Sequence, residues 1–294
     1  MSTKTHIRIG TRGSDLALWQ AHFVKEQLEA NNCTVELKII VTQGDRIQDL
    51  SFDKLEGKGF FTKEIENALL NNEVDLAVHS HKDLETSQPD GLCIAAVSYR
   101  EDPSELLLMN SAAQDPSQLW GLKIGATIGT SSARRKAIIK ALRPDLQIEE
   151  LRGNVPTRID KLRKGNYDAI LLANAGVSRL QLDLSDLHTV VLDPTSFVPA
   201  PAQGVLGLQT RQNDLSTIEV LKKLHHPDVA NIIEQERGVL KAMDGGCQLP
   251  LGVFVAPDAI YVAHSKSANI AAQFHRFEPT CSVQEIVAHL TAQS

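Results

Sequence analysis

Short β-rich runs alternate with longer helical ones, twice over, and this pattern constrains the fold of the chain more than any other feature. Residues 6–9, 35–41, 74–79 and 94–97 read as strands, with helical patterns at 15–30 and 61–71 between them. A second set follows: strands at 122–128, 147–151 and 169–173, helices at 131–142 and 155–164. Strands separated by helices pair side by side only through crossover connections, which build a largely parallel sheet covered on both faces. The expected class is α/β, with two doubly wound domains. Helix 15–30 carries Leu16, Trp19, Phe23 and Leu28 near one face, read as core, with Ser14 as N-cap. The turn formers of 199–207 break the pattern and are read as the crossing, and a hinge, between domains. A helical stretch at 228–243 and a strand-and-helix tail predict a small C-terminal α+β domain. The boundaries expected are 1–99 with 200–221, then 100–199, then 222–294.

Composition excludes several function classes. With 42% hydrophobic and 22% charged residues, the 294 residues support real cores rather than disorder. A net charge of -6 argues against a general nucleic-acid binder, whose affinity rests on a dominant basic surface. Cys33, Cys93, Cys247 and Cys281 are scattered without close pairs, giving neither a zinc framework nor a secreted disulfide scaffold. Residues 1–9 lack the apolar segment of an export signal, and no apolar run approaches the ~18 residues of a membrane span. The expectation is a cytoplasmic protein with no membrane and no nucleic-acid partner.

The chemistry concentrates in four places. Ile9-Gly10-Thr11-Arg12-Gly13-Ser14 and Ile128-Gly129-Thr130-Ser131-Ser132 echo each other, each running from a strand end through glycine and hydroxyls into a helix. Free N–H groups at a helix start favour anions, and in doubly wound folds ligands lie beyond the carboxyl ends of the strands. Two such domains facing one another would enclose a cleft. Half of the 14 arginines fall between 134 and 179, so that stretch needs its own explanation. Arg143 and Arg163 are read as solvated; Arg134, Arg135, Arg152 and Arg158 are read as converging. Guanidinium groups hold carboxylates in bidentate fashion, and several together favour a polyanionic ligand. The competing reading pairs them with Glu149, Glu150 and Asp160 at the surface.

His79-Ser80-His81-Lys82-Asp83 ends an apolar strand. Asp83 there could accept a hydrogen bond from a ligand N–H and stabilise a developing cation, or simply cap the following turn. His79, His81 and Asp83 also have the alternate spacing of metal ligands on one strand face, but with no separate ligand cluster no metal is expected. The fourth place is Asp244-Gly245-Gly246-Cys247-Gln248. Two glycines before a thiol leave room for a bulky covalent group, although a lone cysteine is also an ordinary small hydrophobe.

Taken together, the chain resembles the porphobilinogen deaminases, or hydroxymethylbilane synthases, over nearly its full length. The resemblance rests on Thr11-Arg12-Gly13-Ser14-Asp15-Leu16-Ala17-Leu18-Trp19-Gln20, Gly57-Lys58-Gly59-Phe60-Phe61, His79-Ser80-His81-Lys82-Asp83, Gly129-Thr130-Ser131-Ser132-Ala133-Arg134-Arg135, Leu151-Arg152-Gly153-Asn154, Ala202-Gln203-Gly204 and Gly245-Gly246-Cys247-Gln248. It implies two domains built like periplasmic binding-protein lobes plus a third, and a monomer. It implies a dipyrromethane cofactor joined to Cys247 by a thioether, with Lys82, Asp83, Ser131, Arg134 and Arg135 binding it. Asp83 would be the catalytic residue. Arg12, Ser14, Arg152, Arg158, Arg179 and Gln203 would bind porphobilinogen and its growing chain. Lys54 and Lys58 would belong to a flap over 45–60. The implied reaction condenses four porphobilinogen molecules head to tail on the primer, releasing ammonia and then hydroxymethylbilane for tetrapyrrole synthesis. His81, Glu85, Gln43, Pro156 and Gln209 stand where the family commonly carries methionine, proline, arginine, a small residue and glutamate; Pro156 reads as a helix start.

The alternative from another class is a noncatalytic two-lobed protein that binds a small polyanion or a tetrapyrrole, a role that Arg12, Ser14 and Ser131 would suit.

Overall fold

The computed structural model describes residues 5–46, 62–246 and 248–292, which divide into two compact units, Met1–Glu101 with Val205–Asn231 and Asp102–Gly204 with Ile232–Ser294. The first unit holds β1 (Thr5–Thr11), α1 (Asp15–Ala30), β2 (Cys33–Ile39), the single turn α2 (Gln43–Arg46), α3 (Lys63–Leu70), β3 (Leu76–Ser80) and β4 (Leu92–Val97). A strand from much later in the chain, β10 (Leu206–Arg211), completes its sheet in the order β2-β1-β3-β10-β4, and α7 (Leu215–Leu221) follows. β1 runs parallel to β2 and β3, and β10 antiparallel to β3 and β4.

The second unit repeats this plan. Its elements are β5 (Glu105–Met109), β6 (Thr127–Gly129), α4 (Ala133–Leu142), β7 (Gln147–Glu149), α5 (Val155–Arg163), β8 (Ala169–Ala173), α6 (Asn174–Leu180) and β9 (His188–Leu192). The sheet order is β7-β6-β8-β5-β9, again with one strand, β5, antiparallel to both neighbours. β1 and β6 therefore hold the same place, as do β3 and β8, and β10 and β5. The echo between residues 9–14 and 128–132 falls on these equivalent strand ends. Further along lie α8 (Pro227–Ala242), the antiparallel β11 (Leu251–Val255), β12 (Ile260–His264) and β13 (Gln273–Phe277), and α9 (Val283–Ala292).

The expected class, two doubly wound sheets plus a small α+β element, is what the chain adopts. Both faces of each large sheet are covered. Ile7, Ile9, Leu76, Val78, Leu206 and Leu208 pack against Ala21, Val24 and Leu28 of α1, while Ala77 and Leu92 join Ile65 and Leu69 of α3 in a separate cluster. In β5, Leu107 and Met109 enter one core and Leu106 and Leu108 the opposite one. Alternation along a strand divides such a run between two cores, so no polar residue marks its period. A fifth core joins Val239 and Leu240 to Leu251, Val253, Ile260, Val262, Ile286 and Leu290.

Some boundaries and faces differ from expectation. Strand 122–128 shrinks to Thr127–Gly129, because Gly125 turns the chain at φ 71° and leaves Ile124 exposed. The buried face of α1 is Gln20, Ala21, Val24 and Leu28. Leu16, Trp19 and Phe23 lie to one side of it, half-buried, with Trp19 stacked on Phe23 at 5.4 Å. The gain there is ring contact rather than full burial. Ser14 caps α1 as expected, accepting from the Ala17 N–H. Pro156 occupies the first turn of α5, where a missing N–H costs nothing. Among the described residues, no helix is long and apolar enough to cross a membrane.

Candidate functional site

In the first unit the strand ends carry the expected residues. β1 leads into Arg12 and Ser14, both half-buried. β3 ends at Ser80, whose hydroxyl receives the Gln20 amide at 2.9 Å. His81 to Asp83 then form a single 3₁₀ turn, pinned by the His81 N–H on the Val205 carbonyl at 2.9 Å. The turn buries His81 and leaves Asp83 exposed, with Lys82 between. Neither carboxylate oxygen of Asp83 is engaged by a described residue. An acceptor on a rigid turn with its lone pairs open can take a ligand's N–H groups. Because 81–83 is a turn, the alternate spacing of His79, His81 and Asp83 does not give one strand face. His79 instead lies buried with Nε2 3.1 Å from Gln209 Oε1, and Gln209 donates to Gln88 and Glu66. Burial holds His79 down at about 4, outweighing the Gln209 hydrogen bond, so the ring is neutral at physiological pH.

The second unit gathers the arginines. Ser132 caps α4 by accepting from the Arg135 N–H, which puts Arg134 and Arg135 in the first turn. Both side chains run inward and are only 6% exposed. Arg134 Nη2 lies 2.5 Å from Glu105 Oε1 and Arg135 Nη2 lies 2.6 Å from Glu105 Oε2, with Glu105 fully buried. Their other forks donate to the carbonyls of Val198 and Leu171, at 2.8 and 2.9 Å. Burial pulls the Arg134 guanidinium below its ordinary value, with Glu105 opposing and Arg135 reinforcing. Two cations share one carboxylate, and Arg135 Nε is buried with no acceptor. A half-satisfied cationic site of this kind is suited to an anion.

The surface pairing considered does not hold for Arg134 and Arg135, whereas Arg152 lies close enough to Glu150 for their charges to interact. Glu150 pairs with Lys136, whereas Arg134 and Arg135 take Glu105, which sequence reasoning missed. Arg163 pairs with Asp186 at the surface as expected, but Arg143 is buried, not solvated. It ties Asp145 to the carbonyls of Leu119, Leu122 and Lys123.

Ser131, just ahead of the α4 cap, ties the start of that helix to the loop before α5. Its hydroxyl donates to the Leu151 carbonyl at 2.7 Å and accepts the Leu151 N–H at 3.2 Å, fixing the loop that carries Arg152. Asn154 caps α5, Arg158 Nε donates to the Gly153 carbonyl and Lys161 to that of Arg152. Arg179, at the last turn of α6, is 6% exposed and donates to the Gly204 carbonyl at 2.7 Å. Gln203 is fully buried, its amide on the carbonyls of Pro103 and Ser104. A second residue missed from sequence, buried Glu236, accepts from the N–H groups of Ala202 and Val255 and so holds this turn.

Cys247, Lys54 and Lys58 lie outside the described residues. The glycines before the cysteine differ in role: a Cβ on Gly245 would come within 2.6 Å of Leu249 and 2.8 Å of Leu240, whereas one on Gly246 would meet none of the described residues within 4 Å. Gly245 serves close packing. Among the described residues no group of three His, Cys, Asp or Glu could hold a metal.

A family model described as "Porphobilinogen deaminase, dipyromethane cofactor binding domain" matches residues 7–219. The chain is 47% identical over 247 residues to the porphobilinogen deaminase of Trichlorobacter lovleyi, covering 83% of this chain and 77% of that protein. It is 46% identical over 248 residues to that of Syntrophobacter fumaroxidans, covering 84% and 78%. Among solved structures it is similar to a putative methionine-binding lipoprotein of Bacillus subtilis, at 14% identity and TM-score 0.45, over 80% of this chain and 96% of that one. With a match that runs from before Arg12 to beyond Gln203, and with this identity over most of its length, the chain belongs to the porphobilinogen deaminase family.

Proposed function

We propose that this protein condenses four porphobilinogen molecules head to tail on a dipyrromethane primer held at Cys247, releasing ammonia and, after hydrolysis, hydroxymethylbilane. The observation that carries the reading is the buried triad of Arg134, Glu105 and Arg135 inside the family match, with its excess positive charge and spare Arg135 N–H. Acetate and propionate groups are the anions that guanidinium forks hold best, so the donor set fits a dipyrromethane. When bound, that group supplies a pyrrole ring whose free α-carbon takes up each new unit.

The chain's own residues do the rest. Arg134, Arg135 and Lys82 hold the primer's carboxylates, and Arg12, Ser14, Arg152, Arg158 and Arg179 those of the substrate and product chain, while Ser131 and Gln203, whose side-chain donors are engaged on Leu151 and on Pro103 and Ser104, position the loops that carry them. Asp83 acts on the reacting ring. As the bond from the aminomethyl carbon to nitrogen breaks, the ammonium leaves as ammonia with the bonding pair, and positive charge remains on the pyrrole. A carboxylate accepting from the pyrrole N–H stabilises that cation at the moment it forms. The open lone pairs of Asp83 on a pinned turn support this role.

We further propose three functional domains, 1–99 with 200–221, 100–199 and 222–294, the last supported by its separate core around Val253 and Val262. Family membership favours the enzyme over a noncatalytic binder. The test is the denatured intact mass of protein supplied with porphobilinogen. The wild type should exceed its polypeptide mass by a dipyrromethane, and Cys247→Ser should not; a wild type at bare polypeptide mass would overturn the reading.

A further inference from the structure

We infer that Glu105 is a positioning residue: it clamps the guanidinium groups of Arg134 and Arg135 side by side, one carboxylate oxygen to each, and so presents their remaining donors as a single anion-binding unit. The inference rests on the proposed use of the two arginines for the primer's carboxylates.

In the duplicated plan of the two units, the place equivalent to Glu105 carries no carboxylate. Glu105 opens β5 opposite Ala173, the last residue of β8. At the same place in the other sheet, Leu206 opens β10 opposite Ser80, the last residue of β3. Helix starts correspond as well. Ser132 caps α4 on the Arg135 N–H and Ser14 caps α1 on the Ala17 N–H, so Arg134 and Arg135 occupy the places of Leu16 and Ala17. One unit fills these three places with Leu16, Ala17 and Leu206; the other fills them with two arginines and a fully buried glutamate. Buried ions replaced by hydrophobic residues of similar size are often neutral or stabilising, so such a triad needs a reason other than stability.

The geometry supplies one. Each arginine spends one fork nitrogen on a backbone carbonyl and another on Glu105. Arg135 retains a buried Nε–H without an acceptor. Without Glu105, two like charges packed together would repel, and each long side chain would regain its rotamers. With it, both are held before any ligand arrives, which reduces the ordering cost of binding.

Three variants test this: Glu105→Gln, Glu105→Asp, and the triple variant E105L/R134L/R135A, which copies the other unit. Two quantities are read: proton exchange at Arg135 Nε–H by NMR, and the rate of covalent adduct formation after porphobilinogen is added to apoprotein, by denatured mass. In Glu105→Gln, Arg135 Nε–H exchange should quicken at least tenfold while the amides of β5 and β8 keep wild-type exchange, and the adduct should form at least tenfold more slowly. Glu105→Asp should restore both to within about threefold of wild type. The triple variant should melt within a few degrees of wild type and form no adduct. Wild-type exchange and loading in Glu105→Gln would overturn the inference, and so would an unfolded triple variant, since the triad would then be a requirement of the fold. Should Glu105→Gln itself not fold, the triple and aspartate variants decide. If even the wild type forms no adduct while Arg135 Nε–H responds as stated, the proposed activity fails and the positioning role stands.

Discussion

Replacing Asp75 by asparagine should remove a stabilising charge from the first unit, and the loss should vanish in acid. Asp75 precedes β3 and joins the two strands that flank it, β1 and β10. Arg8 of β1 donates to it through the backbone N–H at 3.0 Å, Nε at 2.9 Å and Nη2 at 2.8 Å, and Arg211 of β10 through Nη2 at 3.0 Å. Burial alone would raise the carboxyl, but these bonds outweigh it and hold it at about 2, against an ordinary 3.8. The gap, at roughly 1.4 kcal/mol per pH unit, amounts to ~2 kcal/mol after an allowance for screening at a carboxylate whose side chain is 13% exposed. The sign follows from the lowered value: stabilisation is complete above the unfolded value of about 3.8, falls as pH drops through the folded value, and is gone below it. Hydrogen exchange of the β1 and β10 amides reads this unit's opening free energy. Asp75→Asn should lower it by ~2 kcal/mol at pH 6, and by less than ~0.5 kcal/mol near pH 2. A difference between the two proteins that stayed constant from pH 6 to pH 2 would refute the linkage, since a packing defect of purely steric origin does not titrate.

Two other predictions concern the reaction and the C-terminal sheet. Asp83→Asn should abolish ammonia release yet leave stability within ~0.5 kcal/mol, because the side chain is exposed; near-normal turnover would remove Asp83 from the mechanism. Gly252→Ala should cost at least ~2 kcal/mol, because its Cβ would lie 2.6 Å from the Val198 carbonyl oxygen and 3.0 Å from that of Pro199, both backbone atoms that cannot swing aside. Thermal melting that matched wild type would show that this approach can relax.

Much of the candidate site was legible because its signals are local. Ser14 and Asn154 cap their helices through hydrogen bonds three residues long, a distance visible in any sequence. Arg12, Asp83, Arg134 and Arg152 belong to short motifs at strand ends, where a doubly wound sheet presents its ligands. The face of α1 was harder, since 16, 19 and 23 satisfy helical spacing nearly as well as 20, 24 and 28. Only the sheet beneath decided which was buried. β5 and β10 escaped notice for a related reason: a strand buried on both faces shows no alternation, and Gly207 interrupts the second run.

Periodicity, capping and motif order by themselves determined the α/β class, its internal duplication and the family to which the chain belongs, because each depends on residues within a few positions of one another. The tertiary structure alone decided that Arg134 and Arg135 meet Glu105, at chain separations of 29 and 30 residues, and that Arg143 turns inward rather than toward solvent. The physical reason is that a buried charge needs an opposite partner wherever the sheet brings one, and the strand order that brings β5 beside β8 is a property of the whole chain and of no segment within it.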